Sequence, residues 1–164
     1  ASLNYDRSVY IRLTGSSNTR QIYNEDYDFK IGESITLKNG SDISIISNGS
    51  IIAECLDTAK FLETKGISVE VINMHTIKPL DKKKLNEIFF NKKLIVSVEE
   101  HNVIGGLSSS IAEEMSEVKN KPPLIKIGIN DFYSSGGSYD FLKSVYKIKS
   151  EDISNTILKY YEQS

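Results

Sequence analysis

The chain has 164 residues, of which 39% are hydrophobic and 26% are charged, and its net charge at pH 7 is −2. This length is typical of one domain with a core of its own. The balance of 20 basic and 22 acidic residues argues against nucleic-acid or membrane partners, which a basic excess would attract. The single cysteine excludes an internal disulfide and a cysteine-based zinc site, and it suits the cytoplasm, where we expect the protein. No apolar run is long enough for a membrane span.

Short runs rich in isoleucine and valine alternate with longer amphipathic segments along the chain. The short runs predict five buried strands, at residues 8–13, 43–47, 69–73, 94–98 and 124–129. The amphipathic segments predict helices near residues 52–62, 81–90, 107–118, 139–146 and 152–161. Strands that alternate with helices form parallel βαβ units, so the sequence predicts an α/β fold with helices on both faces of a mainly parallel five-stranded sheet.

The long polar segment between the first two predicted strands interrupts this alternation. It is unusually long for a connection inside one domain. A short strand at residues 35–37 is predicted to turn back at Asn39-Gly40 and form a hairpin with residues 43–47. We therefore expect residues 1–13 to be the end of a preceding domain, residues 14–37 a linker and residues 38–164 the compact domain. The alternative for the first segment is an edge strand of the same sheet.

Ligands of such sheets bind beyond the carboxyl ends of the strands. Glu99, Glu100 and His101 directly follow the fourth predicted strand, and Gly105 and Gly106 lie just beyond them. A histidine beside carboxylates is typical of an acid–base pair. Neighbouring strand residues point to opposite faces, however, so at most one glutamate can easily reach the imidazole. The alternative is a structural role in a contact between domains.

Three other residues are considered for function. Arg12 ends the first predicted strand and suits a phosphate or carboxylate ligand, with a structural ion pair as the alternative. Cys55 lies on the apolar face of its helix, which favours a buried, inert thiol. His75 lies in a loop before a helix whose predicted N-cap is Asp81. Two histidines without a cysteine partner do not favour a zinc site, and no G-x-G-x-x-G or P-loop pattern supports a nucleotide site.

Four segments, in this order, carry a family resemblance. They are SVYIRLTG (residues 8–15), KNGSDISIISNGSIIAECLDTAKFLETKGISVEVINMHTIKPLD (38–81), LIVSVEEHNVIGGLSSSIAEEM (94–115) and GINDFYSSGG (128–137). Together they resemble the carboxyl-terminal part of transketolase-like, thiamine-diphosphate-dependent enzymes. This family includes split transketolases, deoxyxylulose phosphate synthase and the β subunits of 2-oxo acid dehydrogenases. The resemblance implies a three-layer α/β/α domain, preceded by the last strand of a pyrimidine-binding domain.

The resemblance also implies where the chemistry of the parent enzyme takes place. In this family thiamine diphosphate and Mg²⁺ bind between a pyrophosphate domain and a pyrimidine domain, usually from different subunits. The glutamate that activates the cofactor lies earlier in the pyrimidine domain. The resemblance therefore implies no catalytic residue and no metal ligand in this chain, which alone should neither bind cofactor nor turn over. Its implied partners are those two domains or a partner subunit, in a homodimer or heterotetramer.

The family motifs assign roles to individual residues of this chain. Arg12 matches an arginine at the sugar-phosphate pocket of several members, while Gly15 stands where many members carry a second arginine. Glu99, His101, Gly105 and Gly106 match a strand-end motif, which implies packing at the domain interface near the pocket mouth. The implied parent activity is transfer of a two-carbon ketol unit between sugars. The alternatives are a 2-oxo acid dehydrogenase β subunit and a non-catalytic oligomerisation module.

Overall fold

One five-stranded sheet, with helices on both faces, organises the part of the chain that the computed structural model describes, residues 1–14 and 19–161. The strands are β1 (Ile35–Lys38), β2 (Ile43–Ser47), β3 (Val69–Asn73), β4 (Leu94–Asn102) and β5 (Leu124–Ile129). The α-helices are α1 (Ile52–Glu63), α2 (Lys82–Asn91), α3 (Leu107–Ser116), α4 (Tyr139–Val145) and α5 (Ser150–Tyr161). Single 3-10 turns occur at Ser2–Asn4 and Gly49–Ile51. None of the described helices is long and apolar enough to cross a bilayer.

The layers follow from the apolar residues on the two faces of the sheet. On one face, isoleucine and valine side chains of β2, β3 and β4 pack against α1 and α5 in a core that includes Cys55, Leu62 and Ile153. On the other face, Ile46 and Ile72 pack against α2 and α3. The predicted three-layer α/β/α fold is confirmed. Cys55 is fully buried in the first core, and burial raises the pKa of its thiol to about 12, which fits the predicted inert role.

The strand order is β1-β3-β2-β4-β5, and only β1 runs antiparallel to its neighbour. The predicted hairpin is therefore wrong, because β1 pairs with β3 while β3 and β4 occupy both edges of β2. The chain reaches β2 by crossing the start of β3 so closely that a Cβ on Gly40 would overlap the backbone of Val69. The first strand of the sheet thus begins within residues 14–37, the range predicted as a linker.

The first predicted strand is absent from the structure. Residues 8–13 have no strand conformation and are exposed, with Ile11 and Leu13 at 59% and 82%. A strand must form hydrogen bonds with a neighbouring strand. The outermost strands of this sheet are β1 and β5, and residues 8–13 pair with neither of them, so the prediction of a buried strand is wrong. The alternative of an edge strand fails for the same reason. The assignment of residues 1–13 to a preceding domain stays a prediction.

Candidate functional site

The carboxyl end of β4 extends beyond its predicted end and carries two consecutive glutamates, Glu99 and Glu100. Successive residues of a strand point to opposite faces of a sheet. Glu99 contacts the beginning of α3 on one face, while Glu100 contacts Tyr139 of α4 near α1 on the other. The two carboxylates therefore have different environments and different roles.

Glu99 is enclosed within the domain, with 2% of its surface exposed. Its carboxylate accepts hydrogen bonds from the backbone N–H of Leu107 at 2.7 Å and from the N–H and hydroxyl of Ser108 at 2.9 and 2.6 Å. These N–H groups belong to the first turn of α3, which has no intrahelical acceptors for them and whose dipole favours a negative charge. Glu99 is therefore a structural cap of α3, and its side chain does not reach a surface that another domain can contact.

Gly105 and Gly106, beside this cap, have different structural roles. A Cβ on Gly106 would overlap the Glu99 Oε2 atom, so a hydrogen is required there for the carboxylate to reach α3. Gly105 has a φ of +79° and open space around it. Gly106 thus belongs to the structural cap, and the predicted role at the pocket mouth rests on Gly105 and on His101. His101 is exposed and its Nδ1 atom accepts a hydrogen bond from the N–H of Asn102 at 2.6 Å.

Glu100 belongs to a polar cluster on the opposite face. The hydroxyl of Tyr139 donates to the Glu100 carboxylate. The ammonium of Lys143 lies 4.9 Å from the centre of the Tyr139 ring and 2.6 Å from Oε1 of Glu54. The other Glu54 oxygen accepts from the N–H of Ser150 at 2.8 Å. The cluster joins β4, α4, α1 and α5 at the carboxyl edge of the sheet.

The two carboxylates of this cluster have pKa values that are shifted in opposite directions. Burial raises the pKa of Glu100, although the Tyr139 hydrogen bond and the charges of Lys143 and Arg12 oppose the rise. Burial also raises the pKa of Tyr139, and the bond to Glu100 raises it further. Burial acts against the charge of Glu54 too, but the bonds from Lys143 and Ser150 lower its pKa overall. Glu100 and Tyr139 form a hydrogen-bonded acid pair, whereas Glu54 is the fixed anion that holds Lys143.

A cleft of about 530 Å³ lies beside the pair, between α1 and the start of α4. Tyr139 and Lys143 line it, together with Ser50, Glu54 and Arg20. Arg20 closes one side by binding Asp57 at 2.7 Å and the carbonyl of Ala53 at 2.9 Å. Ion pairs between neighbouring residues thus form much of the wall of this cleft.

The structure places Arg12 within electrostatic reach of Glu100. Arg12 is exposed, and its charge acts on the Glu100 carboxylate. Gly15, the position where many family members carry a second arginine, lies outside the described residues. The family motif names Glu99 as a site residue and does not include Glu100. The alternation of side chains along the strand indicates that the two glutamates lie on opposite faces of the sheet. It does not indicate which of them is covered by α3.

The cluster makes a prediction for folding stability. Because its pKa is raised, Glu100 is more easily protonated in the folded state than in the unfolded state. Its contribution to the free energy of unfolding is therefore most favourable below the ordinary pKa of glutamate, and it is lost as the pH rises through the folded-state pKa. Glu100→Gln should therefore raise the free energy of unfolding at pH 7, by on the order of 1 kcal/mol, and the gain should shrink toward pH 4. Urea denaturation at several pH values measures this.

Glu99→Gln is the matched control, because it changes the same functional group one residue away. It weakens the cap of α3 and should lower stability at pH 7, in the opposite direction. A loss of stability in Glu100→Gln at pH 7 would contradict the proposed cost of the Glu100 charge.

The cluster does not form a metal centre among the described residues. Among residues 1–14 and 19–161, no three histidine, cysteine or acidic side chains come together in a way that could hold a metal ion. Glu54, Glu99 and Glu100 are each engaged by protein donors.

The fold and the strand-end geometry define the class of the protein, a three-layer α/β domain with one antiparallel edge strand and a carboxylate-capped helix after its longest strand. The chain belongs to the transketolase C-terminal domain family, whose model matches residues 32–153. The family inferred from the four sequence segments is confirmed.

Individual relatives agree with this family. The chain is 34% identical to a transketolase C-terminal section of Methanocaldococcus jannaschii, over 94% of this chain and 48% of the relative. It is 36% identical to a 6-deoxy-6-sulfo-D-fructose transketolase subunit of a Clostridium species, over 92% of this chain and 46% of the relative. The solved structure of a split-gene transketolase, an inactive β4 tetramer, matches with a TM-score of 0.78 and 33% identity, over 86% of this chain and 45% of that one. The chain thus spans about half the length of these relatives.

Proposed function

We propose that the chain is the carboxyl-terminal part of a transketolase that transfers a two-carbon ketol unit between sugar or sugar-phosphate substrates. The observation that carries this proposal is the match, over nearly the whole chain, to about half of each of two relatives named as a transketolase section and a transketolase subunit. Transketolase-like enzymes depend on thiamine diphosphate, which supplies the chemistry that breaks and forms the carbon–carbon bond.

In this proposal the chain contributes assembly and the shape of the pocket mouth. Cofactor and metal are held by the pyrimidine and pyrophosphate domains, outside the residues described above. Arg12, within electrostatic reach of Glu100, is the candidate ligand for the substrate phosphate, because a guanidinium matches a phosphate in charge and geometry. The exposed His101 and the open space at Gly105 face the neighbouring domain.

The chain works with further domains or a partner subunit. The M. jannaschii relative is named as a section and the Clostridium relative as a subunit, and the tetramer of a single split-gene β chain is described as inactive. These descriptions support an active assembly in which a partner completes the cofactor site. The assembly that we propose is a homodimer or a heterotetramer, and the compartment that we propose is the cytoplasm. The chain alone is then inactive.

The test reconstitutes the whole enzyme. The full gene product, with its partner subunit if the enzyme is split, should bind thiamine diphosphate with Mg²⁺ in a saturable manner and transfer ketol units between sugar phosphates. Calorimetry of the 164-residue chain alone should show no heat of cofactor binding. An assembly that binds no cofactor would overturn the proposal, and turnover of 2-oxo acids instead of sugars would assign the parent to the dehydrogenases.

The same assay tests the role of Arg12. Arg12→Met should raise the KM for a phosphorylated sugar by roughly tenfold or more, since a charge-assisted hydrogen bond contributes about 1.5–3 kcal/mol. Arg7→Met changes another exposed arginine of the same segment and is the control. Equal kinetics in the two variants would show that Arg12 does not contact the substrate.

A further inference from the structure

The carboxyl end of β3 holds two buried polar atoms without partners. They are Oδ1 of Asn73 and Nε2 of His75, the only side-chain atoms of this kind within residues 1–14 and 19–161. Buried polar atoms in folded proteins nearly always have a hydrogen-bond partner, so each exception calls for a physical reason. The two residues lie two positions apart in the chain.

A segment from the amino-terminal part of the chain covers both residues. We call residues 19–34 the strap. The Asn73 Nδ2 group donates to the hydroxyl of Tyr23 at 2.7 Å, and the Phe29 ring packs on the His75 ring with centroids 4.0 Å apart. The N–H of Gly32 donates to Thr76 Oγ1 at 3.2 Å, and the same oxygen lies 3.0 Å from His75 Nδ1. The strap therefore packs against the imidazole, whose Nε2 atom is buried without a hydrogen-bond partner.

The strap is held at its two ends and has few buried contacts between them. Arg20 fixes one end to Asp57, and the N–H and hydroxyl of Ser34 fix the other to Asp81, both at 2.8 Å. Most residues between these anchors are exposed, including Phe29 at 40%. Segments with few buried contacts open at a low free-energy cost, independently of the core.

We propose that the strap is a proton-sensitive cover, which opens when the imidazole of His75 takes up a proton and thereby exposes Asn73 and His75 to water. In the closed state an imidazolium would carry an Nε2–H group with no acceptor, whereas in the open state water accepts from it. Neutral His75 keeps the strap closed in the tautomer whose Nδ1–H donates to Thr76 Oγ1, because its Nε2 atom then carries no hydrogen while the Phe29 ring covers its face.

The charges around His75 are consistent with this direction. Burial lowers the pKa of His75, and the charge of Asp81 at the start of α2 opposes this only in part. On the strap itself, Lys30 is paired with Asp28 at 3.5 Å and with Glu33 at 3.6 Å. Because the closed state favours the neutral ring, the strap is most stable above the ordinary histidine pKa of about 6.5 and loses stability as the pH falls below it.

Hydrogen exchange followed by mass spectrometry tests the proposal on the 164-residue chain. After correction for intrinsic rates, protection of the strap amides should fall by up to about tenfold between pH 7.5 and pH 5.5, while the core strands remain protected. His75→Phe keeps an aromatic ring under Phe29 and should abolish this pH dependence. His101→Gln removes the other of the two histidines of the chain and should leave the dependence unchanged.

Two further measurements keep the outcome decisive if His75→Phe folds poorly. An NMR titration of the unmodified chain should give an apparent pKa for His75 below 6.5. Tyr23→Phe, which removes the hydroxyl that binds Asn73, should lower protection of the strap equally at both pH values. Protection that does not change with pH in the unmodified chain, or that still changes in His75→Phe, would overturn the proposal.

Discussion

Gly106→Ala should lower the free energy of unfolding by about 3 kcal/mol, because the added methyl group has no room beside the Glu99 carboxylate. The new Cβ would overlap Oε2 of Glu99 and also lie 2.9 Å from the carbonyl oxygen of Asn102. Glu99 would have to leave the beginning of α3, which breaks its hydrogen bonds to Leu107 and Ser108 inside the domain. Urea denaturation of the purified variant measures the loss.

Gly105→Ala is the matched control, since it adds the same methyl group one residue earlier. Nothing lies within 4 Å of a Cβ at Gly105, so its cost comes only from the left-handed backbone, at a φ of +79°. That cost is about 1 kcal/mol. Equal losses in the two variants would contradict the structural role of the Glu99 cap.

Lys84→Met should lower the free energy of unfolding by about 3 kcal/mol, because it leaves the buried carboxylate of Glu70 without its nearest cation. Lys84 Nζ lies 2.8 Å from Glu70, whose side chain is 6% exposed, and Lys92 lies at 3.3 Å. Burial acts against the charge of Glu70, but the bonds from Lys84 and Ser44 lower its pKa overall. The stability that this pair adds is present above the ordinary pKa of glutamate and is lost as the pH falls through the folded-state value.

Lys82→Met on the same helix is the control. Lys82 also pairs with a glutamate, Glu114 at 2.8 Å, but its side chain is 68% exposed. Exposed pairs add little to stability because water screens them, so this variant should change unfolding only slightly. The double variant Glu70→Gln/Lys84→Met should be more stable than Lys84→Met alone. If it is less stable, the loss in Lys84→Met does not come from the unpaired Glu70 charge.

The helices and the four carboxyl-terminal strands were predictable because their signals are local. Apolar residues at helical spacing mark α1 and α3, and the side chain of Asp81 caps α2 as its position before the helix predicted, accepting from the N–H of Lys84 at 3.0 Å. The pairing partner of a strand was harder to predict, because the residues of a strand such as β1 do not indicate which neighbouring strand it pairs with. The predicted hairpin failed for that reason.

In the strand-end motif of the candidate site, too, some features follow from the local sequence and others depend on packing between distant segments. The sequence places two glutamates, a histidine and two glycines after β4, and it establishes that neighbouring side chains diverge. Which glutamate is enclosed depends on where α3 packs, and that is decided by residues far away in the chain, such as Ile46 and Ile72 in the shared core. The cluster around Glu100 likewise joins Glu54 to Lys143 across a long stretch of chain.

The sequence by itself determined the class of fold, the family and the order of the elements from β2 onward, because hydrophobic periodicity and short motifs act over neighbouring residues. The tertiary structure alone decided that Glu99 is a structural cap, that Glu100 is the carboxylate with the raised pKa and that the strap covers His75. These outcomes depend on burial and on contacts between distant segments. Burial changes the energy of a charged side chain far more than its neighbours in the chain do. The sequence therefore shows which ionisable side chains are present, and packing decides which of them is buried and what it does.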